Sequence, residues 1–166
     1  MKVLGIDPSV QSTGYGIIEY SGNSYSVLAY GTIKPSRRLL FHQKINMIRN
    51  RLEEIILAHR PDDVAIENPF YAQNVKTAIT LGQVRGAALV AVASQDCPLY
   101  EYSPLEIKKA VTGYGRADKH QVNTMIKALL NIQGQDLGTD ASDALAAALC
   151  HLNTTKFEQN LKGPER

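Results

Sequence analysis

Lys2-Val3-Leu4-Gly5-Ile6-Asp7 is a short apolar run that closes on an acid, and Asp63-Val64-Ala65-Ile66-Glu67 repeats the pattern further along the chain. Apolar runs of this length suit buried strands. Ligand sites in open α/β sheets lie at the carboxyl ends of the strands. If these two strands are neighbours, Asp7 and Glu67 stand side by side at such an end.

Working outward, Tyr15 to Tyr20 and Tyr25 to Ile33 are rich in β-branched and aromatic residues. Ser21-Gly22-Asn23-Ser24 between them has turn chemistry, so the pair reads as a hairpin that continues the first strand into an antiparallel meander. Then the period changes. Ile45, Ile48, Leu52, Ile55 and Ile56 recur at helical spacing, and Arg60-Pro61 stops that helix. A second long helix is expected from about Gln73 to Ser94, and Leu99 to Tyr102 reads as a fifth strand. Asp118 with Gln121 three residues on signals the start of a third helix, which carries Val122, Met125, Ile126, Leu129 and Leu130. A last helix begins near Thr139 and carries Ala144, Leu145, Ala148 and Leu149. This order predicts an α/β domain over residues 1–153, a mixed five-stranded sheet flanked by helices. The polar tail, 154–166, is expected to fray.

The bulk numbers narrow the class. A chain of 166 residues with 44% hydrophobic and 20% charged residues has the composition of a globular domain rather than a disordered one. No apolar run approaches the roughly 20 residues that span a bilayer, so no membrane association is expected. An acid as early as Asp7 argues against a secretory signal. Cys97 and Cys150 lack metal-motif spacing and read as reduced thiols of a cytoplasmic protein. Net charge is only +2, so any case for nucleic acid rests on where charges sit.

Asp140-Ala141-Ser142-Asp143 adds two more acids at i and i+3, on one face of a helix's first turn. Four carboxylates in one place repel, so either their pKa values rise or a cation neutralises them. All-oxygen ligands select hard ions, Mg²⁺ or Mn²⁺. Two such ions can activate a water and stabilise the leaving oxygen of a phosphodiester. Taken singly, each acid has a plainer reading. Asp7-Pro8-Ser9 makes an ordinary turn, and Asp140 and Asp143 could be an N-cap and a first-turn acid. The conjunction of all four favours the metal site.

Lys108, Lys109, Arg116 and Lys119 cluster around Thr112-Gly113-Tyr114-Gly115, where glycine permits close backbone approach to a phosphate and the cations supply charge. For Lys109 a solvated surface is the better reading. Lys119, near a helix N-terminus, is well placed for an anion beside the acids. Asn68-Pro69-Phe70-Tyr71 follows Glu67 directly. Its aromatics could stack on bases or staple the next helix. Ala78, Gly82 and Gly86, spaced four apart, let another backbone approach: the protein's own sheet or a second subunit.

Taken together, several stretches resemble the RuvC family of bacterial Holliday junction resolvases over nearly the whole chain. They are Leu4-Gly5-Ile6-Asp7-Pro8 with Thr13-Gly14-Tyr15-Gly16, Ala65-Ile66-Glu67, Leu81-Gly82-Gln83-Val84-Arg85-Gly86, Gly113 to Lys119, and Asp140 to Ala146. The resemblance implies a ribonuclease H-like fold and a homodimer that places paired Mg²⁺-dependent nicks across four-way junction DNA in recombination and repair. It implies metal binding by Asp7, Glu67, Asp140 and Asp143, two ions per site with Mn²⁺ able to substitute. It also implies junction contacts by Phe70, Lys108 and Lys119, with Arg116 in the same basic run. The dimer contact would be the helix bearing Ala78, Gly82 and Gly86, and the partners would include the branch-migration proteins RuvA and RuvB. Ser9 stands where the family usually has glycine, and Pro69 stiffens the loop before Phe70. Two other readings share parts of the pattern: a YqgF-type nuclease acting on RNA, and an actin-like nucleotide-binding module.

Overall fold

The computed structural model describes residues 1–68, 74–134 and 136–162, with side chains described as far as residue 157. In chain order the elements are β1 (Lys2–Asp7), β2 (Thr13–Ser21), β3 (Ser24–Ile33), α1 (Phe41–His59), β4 (Asp63–Glu67), α2 (Val75–Ala93), β5 (Leu99–Tyr102), α3 (Pro104–Thr112), α4 (Lys119–Leu129) and α5 (Thr139–Lys162). The sheet order is β3-β2-β1-β4-β5. β1 pairs antiparallel with β2 and parallel with β4, and β5 is parallel to β4. The hairpin turns at Gly22 and Asn23, whose φ values of 56° and 66° suit the two left-handed positions of a tight hairpin. α1 stops at Arg60, left-handed at φ 47°, with Pro61 next in the chain.

Strand alternation sorts the core into two layers. Leu4, Ile6, Ile17, Val64 and Ile66 pack with Ile48, Leu52, Ile55 and Ile56 of α1 and Val84, Ala88, Ala91 and Val92 of α2. Val3, Ile18 and Ala65 point to the other face, under α3, α4 and α5. On that second face lies a strip of glycine. Gly5 pairs with Gly16, and Asp7 with Gly14. A Cβ on Gly5 would sit 1.8 Å from the Ala144 carbonyl oxygen, and one on Gly14 1.9 Å from that of Asp140. The backbone of α5 therefore rests directly on β1 and β2, closer than any side chain would allow. From Ala144 to Leu149 α5 is buried without a break, as a helix apolar on every side must be. Further along, buried His151 meets the Tyr102 hydroxyl at 2.7 Å through Nδ1 and Asp63 Oδ2 at 2.9 Å through Nε2.

Three features differ from the sequence reading. First, no helix is expected from the sequence between β5 and α4, yet Pro104–Thr112 forms α3. Its signal was local: Ser103 Oγ accepts from the Glu106 amide, Glu106 Oε2 accepts from the Ser103 amide, and Pro104 fills the first turn. With only Ile107 and Val111 buried, its apolar period was too short to read. Second, α5 is helical to Lys162, across most of the tail expected to fray. Asn153 accepts from the Tyr25 hydroxyl and donates to the Ala110 carbonyl, and Lys156 lies over the Tyr20 ring. Third, α2 does have the length and apolarity of a membrane span: 19 residues with a mean hydropathy of 1.2. Its Val, Ile, Leu and Ala residues raise that mean, while Lys76, Gln83 and Arg85 break the apolar run. Its Val84, Ala87, Ala88, Ala91 and Val92 are core residues, while Val75, Ile79 and Val90 are 75%, 58% and 55% exposed.

The glycine strip gives the first prediction. Gly14→Ala should destabilise the domain by about 1–3 kcal/mol or more, as overpacking does, and lower the melting temperature by several degrees. Thermal denaturation measures it, and an unchanged midpoint would mean that α5 does not sit this close.

Candidate active site

The carboxyl ends of β1 and β4 are adjacent. Ile6 pairs with Ile66, so Asp7 and Glu67 are the next residues of two parallel neighbours, and both share the face of Gly5 and Ala65 that looks toward α5. The first turn of α5 crosses this point because Gly14, opposite Asp7, leaves room for the Asp140 backbone. Asp140 is the second residue of α5, inside the helix, so it is not the N-cap that a purely structural role would make it. Asp143 follows one turn later, and its Oδ2 accepts from Lys119 Nζ at 3.1 Å. Lys119 opens α4, reached through the Gly113–Asp118 turn.

Electrostatics show how tightly the acids are gathered. The Asp7 carboxyl is pushed up to about 7, first by burial and then by the charges of Glu67, Asp143 and Asp140, with Lys119 opposing. Glu67 is also raised, by burial and then by Asp143, against Lys119 and Lys108. Asp143 and its hydrogen bond hold the Lys119 ammonium above its ordinary range. A small cavity of about 70 Å³ joins these groups, lined by Glu67, Lys108, Lys119 and Asp143 with Pro104, Ile107, Val122 and Ala146. Among the described residues, no three His, Cys, Asp or Glu side chains form a group that could hold a metal ion as they stand. The acids act on one another through space, and one of them is turned to Lys119. That pair is weak, since the Lys119 side chain is 73% exposed; a pair of this kind contributes no more than about 1 kcal/mol.

The remaining candidates divide. Lys108 lies on α3 and faces the cavity, while Arg116 is exposed in the turn before α4 and does not line it. Phe70 and Pro69 lie outside the described residues. Ala78 and Gly82 are exposed and Gly86 partly so. A Cβ at Gly82 or Gly86 would meet nothing within 4 Å, so this spacing does not serve packing on the protein's own sheet. Ser9 is accommodated without a left-handed backbone: its amide and carbonyl both bond to Thr13 Oγ1, at 3.2 and 2.6 Å. The sequence reading missed the structural part of Gly5, Gly14 and Gly16. Glycines alternating within a β-rich strand were the available signal, since they mark close backbone approach.

The model of crossover junction endodeoxyribonuclease RuvC matches residues 3–151. The chain belongs to the RuvC family. The RuvC of Alkaliphilus metalliredigens is 44% identical over 98% of this chain and 99% of its own length, and that of Clostridioides difficile 39% over 98% and 96%. Among solved structures, T. thermophilus RuvC in complex with Holliday junction substrate superposes with a TM-score of 0.90 at 30% identity, covering 95% of this chain and 96% of that one. The ribonuclease H-like fold of the RuvC proteins is thus the fold seen here, and the match falls on the first of the three readings open from the sequence.

A raised carboxyl pKa fixes the sign of a pH effect. Ionising Asp7 costs the folded state more than the unfolded one, so stability is lost as pH rises from 3.8 through about 7. Without divalent ions, Asp7→Asn should therefore raise the melting temperature at pH 8. The gain should shrink as pH falls and vanish below 3.8, where the acid is protonated in both states. Melting curves across that range in EDTA test it, and a pH-independent difference would show that Asp7 is not the strained acid.

Proposed function

We propose that this chain resolves four-way DNA junctions by hydrolysing phosphodiester bonds at a divalent-metal site held by Asp7, Glu67, Asp140 and Asp143. The observation that carries this reading is the convergence of four carboxylates, on two parallel strand ends and one helix turn, in a chain of the RuvC family. The donors are all oxygen, which fits Mg²⁺ or Mn²⁺ and not zinc. Asp7, whose carboxyl is raised to about 7 by burial and then by its neighbours' charge, gains most from a cation. A pair of such ions supplies an activated water and neutralises the leaving oxygen. The chain's own part is to present the carboxylates on rigid strand ends and a buried helix, to orient the phosphate with Lys119 and Lys108, and to grip the backbone through Arg116. Phe70, close after Glu67 in the chain, contacts junction bases. The substrate comes from the T. thermophilus relative and its junction complex.

Paired nicks need paired sites, and twofold symmetry is the simplest way to supply them. The open face of α2 is the surface for it. Ala78, Gly82 and Gly86 let two helices approach, and Val75, Ile79 and Val90 are the apolar residues left in water. Covering what remains exposed of each would contribute roughly 1 kcal/mol, since full burial of such a side chain is worth ~1.5–3 kcal/mol. The homodimer acts on cytoplasmic DNA beside RuvA and RuvB.

Two outcomes follow. Asp7→Asn, Glu67→Gln, Asp140→Asn and Asp143→Asn should each lower junction cleavage in Mg²⁺ by orders of magnitude. Their junction affinity in EDTA should be unchanged or higher, because each removes a charge that repels phosphate. A cleavage time course beside a binding titration measures both, and wild-type cleavage by Asp7→Asn would end the mechanism. Separately, Gly82→Leu should shift the protein toward monomer in sedimentation velocity at micromolar concentration. A wild-type protein that is wholly monomeric there would remove the dimer.

A further inference from the structure

Glu67 is followed by a network that the carboxylate site does not use. Glu101 on β5 divides its two carboxylate oxygens. Oε1 accepts from the Arg85 guanidinium on α2, and Oε2 accepts from Asn68 Nδ2 at 3.0 Å. Asn68 is held a second time, its amide donating to the Tyr102 carbonyl at 2.8 Å. The residue next to Glu67 is therefore pinned to β5 through both backbone and side chain. Arg85 lies between Gly82 and Gly86 on α2, with its side chain 22% exposed, and its Nε is buried with no hydrogen-bond partner among the described residues. Arg85 is the more covered partner and Glu101 is 40% exposed; Glu101 bridges Arg85 to Asn68.

We infer that Arg85, Glu101 and Asn68 are positioning residues that couple the open face of α2 to the placement of Glu67. The chain of contacts is continuous. Helix α2 carries Arg85, β5 carries Glu101, and Asn68 is the first residue after Glu67. Movement of α2, or its docking on a second subunit, reaches Glu67 through one bridging carboxylate. The paired acid and base cost little net charge at a site already crowded with acids. The inference rests on the reading of Glu67 as a metal ligand, and its test separates the two.

The experiment compares Asn68→Ala, Glu101→Gln, Arg85→Ala and the charge-reversed pair Arg85→Glu with Glu101→Arg, with Glu67→Gln run alongside. Each is measured for junction cleavage against Mg²⁺ concentration, junction affinity in EDTA, sedimentation, melting temperature and hydrogen exchange at the Asn68 amide. A misplaced ligand should slow single-turnover cleavage by about tenfold to a hundredfold and raise the Mg²⁺ needed for half-maximal rate. It should also speed exchange at the residue-68 amide while leaving junction affinity unchanged, with the dimer unchanged in Asn68→Ala and Glu101→Gln, and the reversed pair should recover part of the Arg85→Ala loss. Wild-type rate, Mg²⁺ dependence and Asn68 exchange in Asn68→Ala and Glu101→Gln would overturn the coupling. So would losses that follow the melting temperature alone and are not rescued by the reversed pair. If Glu67→Gln cleaves normally, the underlying reading fails; if Glu67→Gln is inactive while the others are wild-type, only the coupling fails.

Discussion

The contact of the α5 backbone with Gly5 and Gly14 sets the distance on which the site depends. A helix normally rides on a sheet at the height of the side chains between them. Here the carbonyls of Ala144 and Asp140 occupy the space that a Cβ on Gly5 and Gly14 would fill. The helix start is lowered onto β1 and β2, which brings Asp140 and Asp143 down to the level of Asp7 and Glu67. Farther along, His151 fixes the same helix to Asp63 of β4 and Tyr102 of β5. α5 is thus held at two places along its length, by absence of side chains at one and by a buried polar bridge at the other. The first turn between sheet and solvent is left with a defined position.

That placement costs electrostatic stability. A corner that raises the Asp7 carboxyl to about 7 is poorly arranged for stability alone, and replacing these acids by neutral residues would relieve it. Lys119 offsets part of the charge from an exposed side chain, through a pair weak enough to yield Asp143 to a better partner. The acids are collected but not closed round a point.

Much of this was legible in the sequence because it rests on local signals. The apolar runs ending at Asp7 and Glu67, the Gly22-Asn23 turn, the Arg60-Pro61 stop and the Asp118–Gln121 capping box each state their structure within a few residues. Two acids at i and i+3 placed Asp140 and Asp143 on one face. What escaped was either short or distant. α3 had a capping box but too few apolar residues for a period. The continuation of α5 depends on Asn153 reaching Tyr25 and Ala110, and the Arg85–Glu101–Asn68 network joins three elements far apart in sequence. The seat for α5 was visible only as glycines in a strand, a pattern that marks close approach without saying what approaches.

The mechanism requires that these four acids share a cation. Crystals of the protein soaked in Mn²⁺ and measured at the manganese absorption edge give a direct answer through the anomalous signal. Anomalous density is expected at the carboxyl ends of β1 and β4, ligated by Asp7 with Glu67 and the first-turn acids of α5, with Asp143 released from Lys119. Density elsewhere on the molecule, or at this corner without Asp7 among the ligands, would contradict the mechanism.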